Sequence, residues 1–219
     1  MITYKDLNLT DRYTLLDSLP KSWKTGVEIG CWEAWYTCNM IMRTSMRVTT
    51  IDPWVTTPDY DSTNVEISDV WQQNSDGCVT PHARYLMSLR NLQTQQADML
   101  ERTMTLKQAA LDFRLYKGYF EVWRGYSYDL CAYVPDNIVD FLYIDGEHNY
   151  EAVTQDMQQW WRTIKHGGIM AGHDYNEGNP GTRRSVDEFV EKHNLEFQIT
   201  GINEAQGDAG APSWVIIKP

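Results

Sequence analysis

Between Val139 and Tyr175 the hydrophobic pattern changes period twice. The run Val139-Asp140-Phe141-Leu142-Tyr143-Ile144 reads as a buried strand closing at Asp145-Gly146. Tyr150, Val153, Met157, Trp160, Trp161 and Ile164 then recur at near-helical spacing, with Asn149 suited to cap the helix start and Glu151 to its first turn. Lys165 and His166 suit its negative end, and Gly167 the left-handed position just beyond. From Gly168 a second strand runs to His173-Asp174. Consecutive strands of an open α/β sheet end at the same edge, where ligands bind, so the topology makes neighbours of Asp145, His148, His173 and Asp174.

The same alternation extends along the chain. Residues 25–30 form a β-leaning run that ends in Gly30, 34–42 follow as a helix, and 47–52 form a strand closed by Pro53. Later strands are expected at 120–124, 168–172, 196–200 and 214–218. The pattern predicts a Rossmann-like, seven-stranded, mainly parallel α/β sheet with helices on both faces, in one domain over 1–219. Residues 54–119 exceed a single crossover. Their Leu86, Leu89, Leu92, Met99, Leu100, Met104, Leu111 and Leu115 imply a helical insertion after the second strand, over 56–112, available for core packing or homo-oligomer contact.

Charge and composition narrow the partners. With 19 basic against 30 acidic residues, the chain lacks the cationic surplus that binding to a phosphate backbone requires, which argues against nucleic acid and for a small molecule. Cys31, Cys38, Cys78 and Cys131 are scattered, with no C-x-x-C pair to signal zinc or redox chemistry, and read as reduced core residues. The opening Met1-Ile2-Thr3-Tyr4-Lys5-Asp6 has no secretory pattern, and no apolar run nears the ~20 residues of a membrane span, so a cytoplasmic protein away from the membrane is expected.

Candidate chemistry collects at the strand ends. Gly30 stands where a side chain would obstruct close approach of a ligand to the backbone, and the loop after it offers amide groups. The G-x-G-x-x-G of dinucleotide binders is missing, and Glu28 would repel an anionic ligand and favour a cationic or zwitterionic one. Asp52 closes the second strand, where an acid can accept hydrogen bonds from ribose hydroxyls.

Five stretches carry a family likeness: Val27-Glu28-Ile29-Gly30, Ile51-Asp52-Pro53-Trp54, Arg124-Gly125-Tyr126-Ser127, Tyr143 to Glu151, and Gly167 to Tyr175. Their order and spacing resemble the class I S-adenosylmethionine-dependent methyltransferases, in the small-molecule O-methyltransferase-like branch akin to catechol-type and macrolide-sugar enzymes. The resemblance implies S-adenosylmethionine as cofactor. Glu28, Gly30 and Trp32 would border its methionine end, Asp52 its ribose and Ser127 its adenine, with Asp145 near both cofactor and acceptor. One departure is Ala34, where the family usually has a second glycine.

The resemblance also implies metal ligands at Asp145, His173 and Asp174, and a catalytic base at His148. Two carboxylates and an imidazole suit magnesium only with added waters, whereas manganese, iron or zinc accept the histidine more readily, so the divalent ion stays open. A bound ion would acidify an acceptor hydroxyl, and a base with an ordinary pKa near 6.5 suits removal of its proton. The expected reaction is methyl transfer to a small molecule at a hydroxyl oxygen. Residues 176–182 read as a lid, followed by Arg183 and Arg184, which could meet an acidic substrate group. Competing readings are a metal-dependent enzyme without methylation and a non-catalytic oligomerising protein. A Rossmann dehydrogenase ranks last.

Overall fold

A computed structural model describes residues 2–54, 87–93, 120–201 and 211–219. Its centre is a sheet of β1 (Thr25–Ile29), β2 (Arg47–Asp52), β3 (Phe120–Arg124), β4 (Val139–Ile144), β5 (Ile164–Gly172), β6 (Gln198–Ile199) and β7 (Trp214–Ile217), in the order β3-β2-β1-β4-β5-β7-β6. The first five strands pair in parallel. Only β7 is reversed, lying antiparallel to both β5 and β6.

The period-2 geometry of the strands sorts the core into two layers. Phe141 and Tyr143 of β4 face one layer with Val48, Ala171 and Val215, covered by α1 (Arg12–Ser18) through Leu15 and Leu16 and by α2 (Trp35–Arg43) through Tyr36, Cys38, Met40 and Ile41. Leu142 and Ile144 face the other, with Val27, Ile29 and Met170. There α4 (Tyr150–Trp160) contributes Val153, Met157 and Trp160, and α5 (Pro180–His193) contributes Val186 and Phe189. A short α3 (Ser127–Leu130) follows β3. Among the described residues no helix is long and apolar enough to cross a membrane.

Several local expectations need correction. The helix before β5 stops at Trp160 and passes through a 3-10 turn, Trp161–Thr163, so Lys165 and His166 lie in β5 and not at a helix end. Pairing is the reason: Ile164 sits opposite Val139, while Gly167 donates its N–H to the Lys218 carbonyl at 2.7 Å. Gly167 does adopt a left-handed φ of 76°, but inside a bulged strand. The expected lid is shorter than 176–182, because α5 begins at Pro180 and takes in Gly181 and Thr182. Proline is favoured in the first helical turn, and Gly181 fits because a Cβ there would come within 2.6 Å of the His148 carbonyl oxygen. β6 is confined to two residues.

The insertion assigned to 56–112, and any oligomer contact through it, lies outside the described residues except for 87–93. That piece is helical; it buries Leu92, and Asn91 Nδ2 donates to the Glu33 carbonyl at 2.8 Å. Cys31, Cys38 and Cys131 are buried free thiols, and Cys78 lies outside the described residues.

At the amino edge of the sheet, Asp140 is 5% exposed and joins three elements. Its Oδ2 accepts the N–H groups of Lys24 and Thr25 at 2.8 and 2.9 Å, and its Oδ1 meets Lys165 Nζ at 2.7 Å. Removing it strands two amides, while Lys165, 41% exposed, turns to water. Asp140→Ala is expected to lower the free energy of unfolding by roughly 2–4 kcal/mol in urea titrations; a loss below about 1 kcal/mol would contradict the tie.

Candidate active site

The carboxyl edge is built on a backbone contact. Past the end of β1, Gly30 donates to the Ile51 carbonyl at 2.8 Å; Asp145 donates to Ile29 at 2.7 Å, and His173 to Ile144 at 3.0 Å. The ladder therefore continues beyond the strands and places their ends side by side. Gly30 has a φ of 87°, and a Cβ on it would fall 2.0 Å from the Asp145 carbonyl oxygen. That assigns the glycine a different reason from the one expected: it makes room for the neighbouring strand end, whatever ligand lies beyond.

The β1–α2 turn and the end of β2 are tied together by Asp52. Its Oδ2 accepts from the Trp32 N–H at 2.9 Å, its Oδ1 from the Trp54 N–H at 2.6 Å, and Trp54 Nε1 donates to the Trp32 carbonyl at 2.9 Å. Trp32, Ala34 and Trp54 all have left-handed φ, at 51°, 65° and 43°. Such a conformation costs an L-residue roughly 1–2 kcal/mol, and Ala34 carries it where a glycine would not. Trp32 is exposed and Ala34 buried, so the tight turn presents an indole to solvent beside the Asp52 carboxylate.

Glu28 is wholly buried under α2, where the hydroxyls of Thr37 and Thr50 both donate to Oε2, the latter at 3.3 Å. Burial pushes its carboxyl up to about 8, against the opposing effect of the Thr37 hydrogen bond. Ser127, at the start of α3, gives its hydroxyl hydrogen bond to the buried Asp156 of α4. Sequence reading missed Asp156. It occupies the apolar stripe with Val153, Met157 and Trp160, so its signal was a single acid on a buried helix face.

At the ends of β4 and β5 the four ionisable groups do meet. His148 Nε2 lies 2.9 Å from Asp174 Oδ2 and 3.9 Å from Asp145 Oδ1; His173 Nδ1 lies 3.4 Å from Asp174 Oδ2 and 3.7 Å from Asp145 Oδ1. Single atoms of Asp145, His148 and Asp174 fall within 4.8 Å of one another, the spacing of a cation site, with His173 alongside. Asp174 holds a left-handed φ of 60°, helped by a bond from Asn179 Nδ2 at 3.1 Å.

Arg12, at the first turn of α1, is the other residue that sequence reading missed. Its Nη1 stands 3.3 Å from Asp145 Oδ2, and its guanidinium packs near the rings of Tyr13 and Tyr36. Only Asp11 foreshadowed the helix, as a cap accepting the N–H groups of Tyr13 and Thr14 at 2.8 and 2.7 Å. The carboxylates of Asp145 and Asp174 together raise His148 to about 10, far from the ordinary value assumed for a base. Burial disfavours charge on Asp174, yet His148 and His173 together outweigh it and hold the carboxyl well below its usual range. Arg183 and Arg184 take no part in this cluster: Arg184 pairs with Glu188 at 2.7 Å and lies over the Tyr150 ring, and Arg183 lies over Tyr175.

A sheet in this order with one reversed strand, and acids grouped at its carboxyl edge, defines the class I S-adenosylmethionine-dependent methyltransferase fold. The chain belongs to the methyltransferase-domain family, whose model matches residues 27–175, from β1 to just past the end of β5. Solved structures agree in fold. An O-methyltransferase from Bacillus cereus, in complex with SAH, is 12% identical with a TM-score of 0.57, covering 100% of this chain and 83% of that one. A precorrin-6y C5,15-methyltransferase from Geobacter metallireducens is 11% identical with a TM-score of 0.58, covering 100% and 94%. An uncharacterized protein, R132, of Acanthamoeba polyphaga mimivirus is 28% identical over 91 residues, which span 39% of this chain and 41% of that protein.

The proton on Glu28 has a measurable consequence. Because its folded pKa, about 8, lies above the unfolded value of 4.5, the native state holds a proton that the unfolded chain releases. Stability should therefore fall as pH rises from about 5 to 8. Glu28→Gln keeps a neutral group there, so its stability relative to wild type should climb across that window in urea titrations at pH 5, 6.5 and 8. Parallel profiles would place an ionised carboxylate in the core.

Proposed function

We propose that the protein transfers the methyl group of S-adenosylmethionine to a hydroxyl oxygen of a small molecule, with a divalent metal assisting, as a single domain over residues 1–219. The observation that carries this reading is the convergence of Asp145, His148, His173 and Asp174 at the ends of β4 and β5, in the sheet whose β1 and β2 end at Gly30 and Asp52. The family match supports the chemistry and the fold supports the place. A net charge of −11 favours a small acceptor over a nucleic acid.

The edge suits a cationic, nucleoside-bearing donor. Asp52 offers carboxylate lone pairs to ribose hydroxyls, the Trp32 turn and Gly30 border the methionine end, and Ser127 lies toward the base. When bound, the donor supplies an electrophilic methyl group, so the protein's task is to align the acceptor oxygen and exclude water. Asp145 and Asp174, whose carboxylates lie within 4.8 Å of each other and of His148, would hold a divalent ion, with His173 Nδ1 alongside at 3.7 and 3.4 Å as the further ligand; the ion would acidify an acceptor hydroxyl. His148 is the group placed to take the proton. In the free protein two positive groups, Arg12 and His148, already neutralise the carboxylates. A divalent ion on those carboxylates would repel the imidazolium proton and leave His148 able to act as base.

Calorimetry with S-adenosylhomocysteine should show binding that Asp52→Ala weakens about tenfold or more, because two ribose hydroxyl bonds are lost. No binding to the wild-type protein would end the assignment. In methyl-transfer assays over a panel of hydroxylated acceptors, His148→Ala should lower kcat about 10²–10⁴-fold. Asp174→Asn should weaken Mn²⁺ binding followed by electron paramagnetic resonance, and an unchanged affinity would remove Asp174 from the ligand set.

A further inference from the structure

Asp156 is 6% exposed on the stripe of α4 that otherwise carries Val153, Met157 and Trp160 into the core. A carboxylate in such a place is costly unless something holds it. No ion pair reaches it among the described residues, and its hydrogen-bond partner there is the hydroxyl of Ser127. Ser127 comes from another element, just after β3, where the Gly125 N–H donates to the Asp52 carbonyl at 3.2 Å. The pair thus joins a buried helix face to the carboxyl edge of the sheet beside Asp52.

The chemistry of the pair is directional. A serine hydroxyl has one proton and two lone pairs, whereas an ionised carboxylate can only accept. Burial pushes the Asp156 carboxyl up to about 6, which still leaves it ionised at pH 7.5. The Ser127 proton is therefore committed to Asp156, and what remains for a ligand is lone pairs. We infer that Asp156 is a positioning residue that fixes the Ser127 hydroxyl as a hydrogen-bond acceptor, so that the site selects a nucleoside whose base offers an amino group over one that offers a carbonyl. Adenine has an exocyclic amine at the position where hypoxanthine has an oxygen. With an amide at 156, which can donate to Ser127, the serine proton is released toward the ligand and the selection relaxes.

This inference rests on the reading of Ser127 as the residue nearest the base, and the test separates the two. Calorimetry on the full chain at pH 7.5 compares S-adenosylhomocysteine with S-inosylhomocysteine. The wild-type protein should prefer the adenosyl ligand by about tenfold or more, and Asp156→Asn should reduce that ratio several-fold, the scale of one hydrogen bond changing from favourable to opposed. Ser127→Ala leaves the buried acid in place and serves as the second arm; it should lose the preference as well, and Asp156→Asn added to it should change nothing further. If Asp156 merely glued α3 to α4, its variants would lower the melting temperature with the ratio unmoved. Adenosyl binding with the full ratio retained in either single variant overturns the role of Asp156. Absence of adenosyl binding to the wild type overturns the placement of the base along with it.

Discussion

The edge on which everything else is arranged depends on the absence of one methyl group. Gly30 leaves β1 with a positive φ and lies against the carbonyl of Asp145, where a Cβ would sit at 2.0 Å. β1 and β4, parallel strands separated along the chain by β2 and β3, are thereby drawn together beyond their last regular pair, Ile29 opposite Ile144. Without that approach the turn carrying Trp32 and the turn carrying Asp145 would separate. The carboxylates that end the second and fourth strands would then no longer lie together at this edge.

Charge is balanced within the cleft. Glu28 avoids ionising by burial, Asp52 is met by two backbone amides, and the Asp145–Asp174 pair by Arg12 and His148. Three different devices therefore hold acidic side chains close together in a free protein that is already strongly acidic. Glu28 is sealed in the core with Thr37 and Thr50, whereas Asp52, Asp145 and Asp174 are only partly buried. A fixed lysine buried among them would have closed the site.

Much of this was legible in the chain because period and punctuation agreed. The β4–α4–β5 unit is signalled by a six-residue run apolar but for Asp140, an asparagine cap and helically spaced aromatics, and the structure has Asn149 as the cap, accepting from Ala152 at 2.8 Å. Less legible was where α4 gives way to β5: Lys165 and His166 suit a helix terminus electrostatically, but pairing of Ile164 with Val139 decided the matter, and pairing is a long-range property. Arg12 and Asp156 were missed for a related reason. Each is an ordinary polar residue in its local stretch, and each acquires its partner, Asp145 or Ser127, from a segment far along the chain.

The bulge in β5 separates two mechanical tasks. On β4 Val139 and Phe141 are two positions apart, while their partners on β5, Ile164 and Ile169, are five apart. The surplus length is looped out around Gly167 and Gly168, so the register that carries Gly172 to Ile144, and with it His173 and Asp174 into the cleft, is independent of how the chain leaves α4. A one-residue insertion or deletion after Ile169 would turn every following side chain to the opposite face.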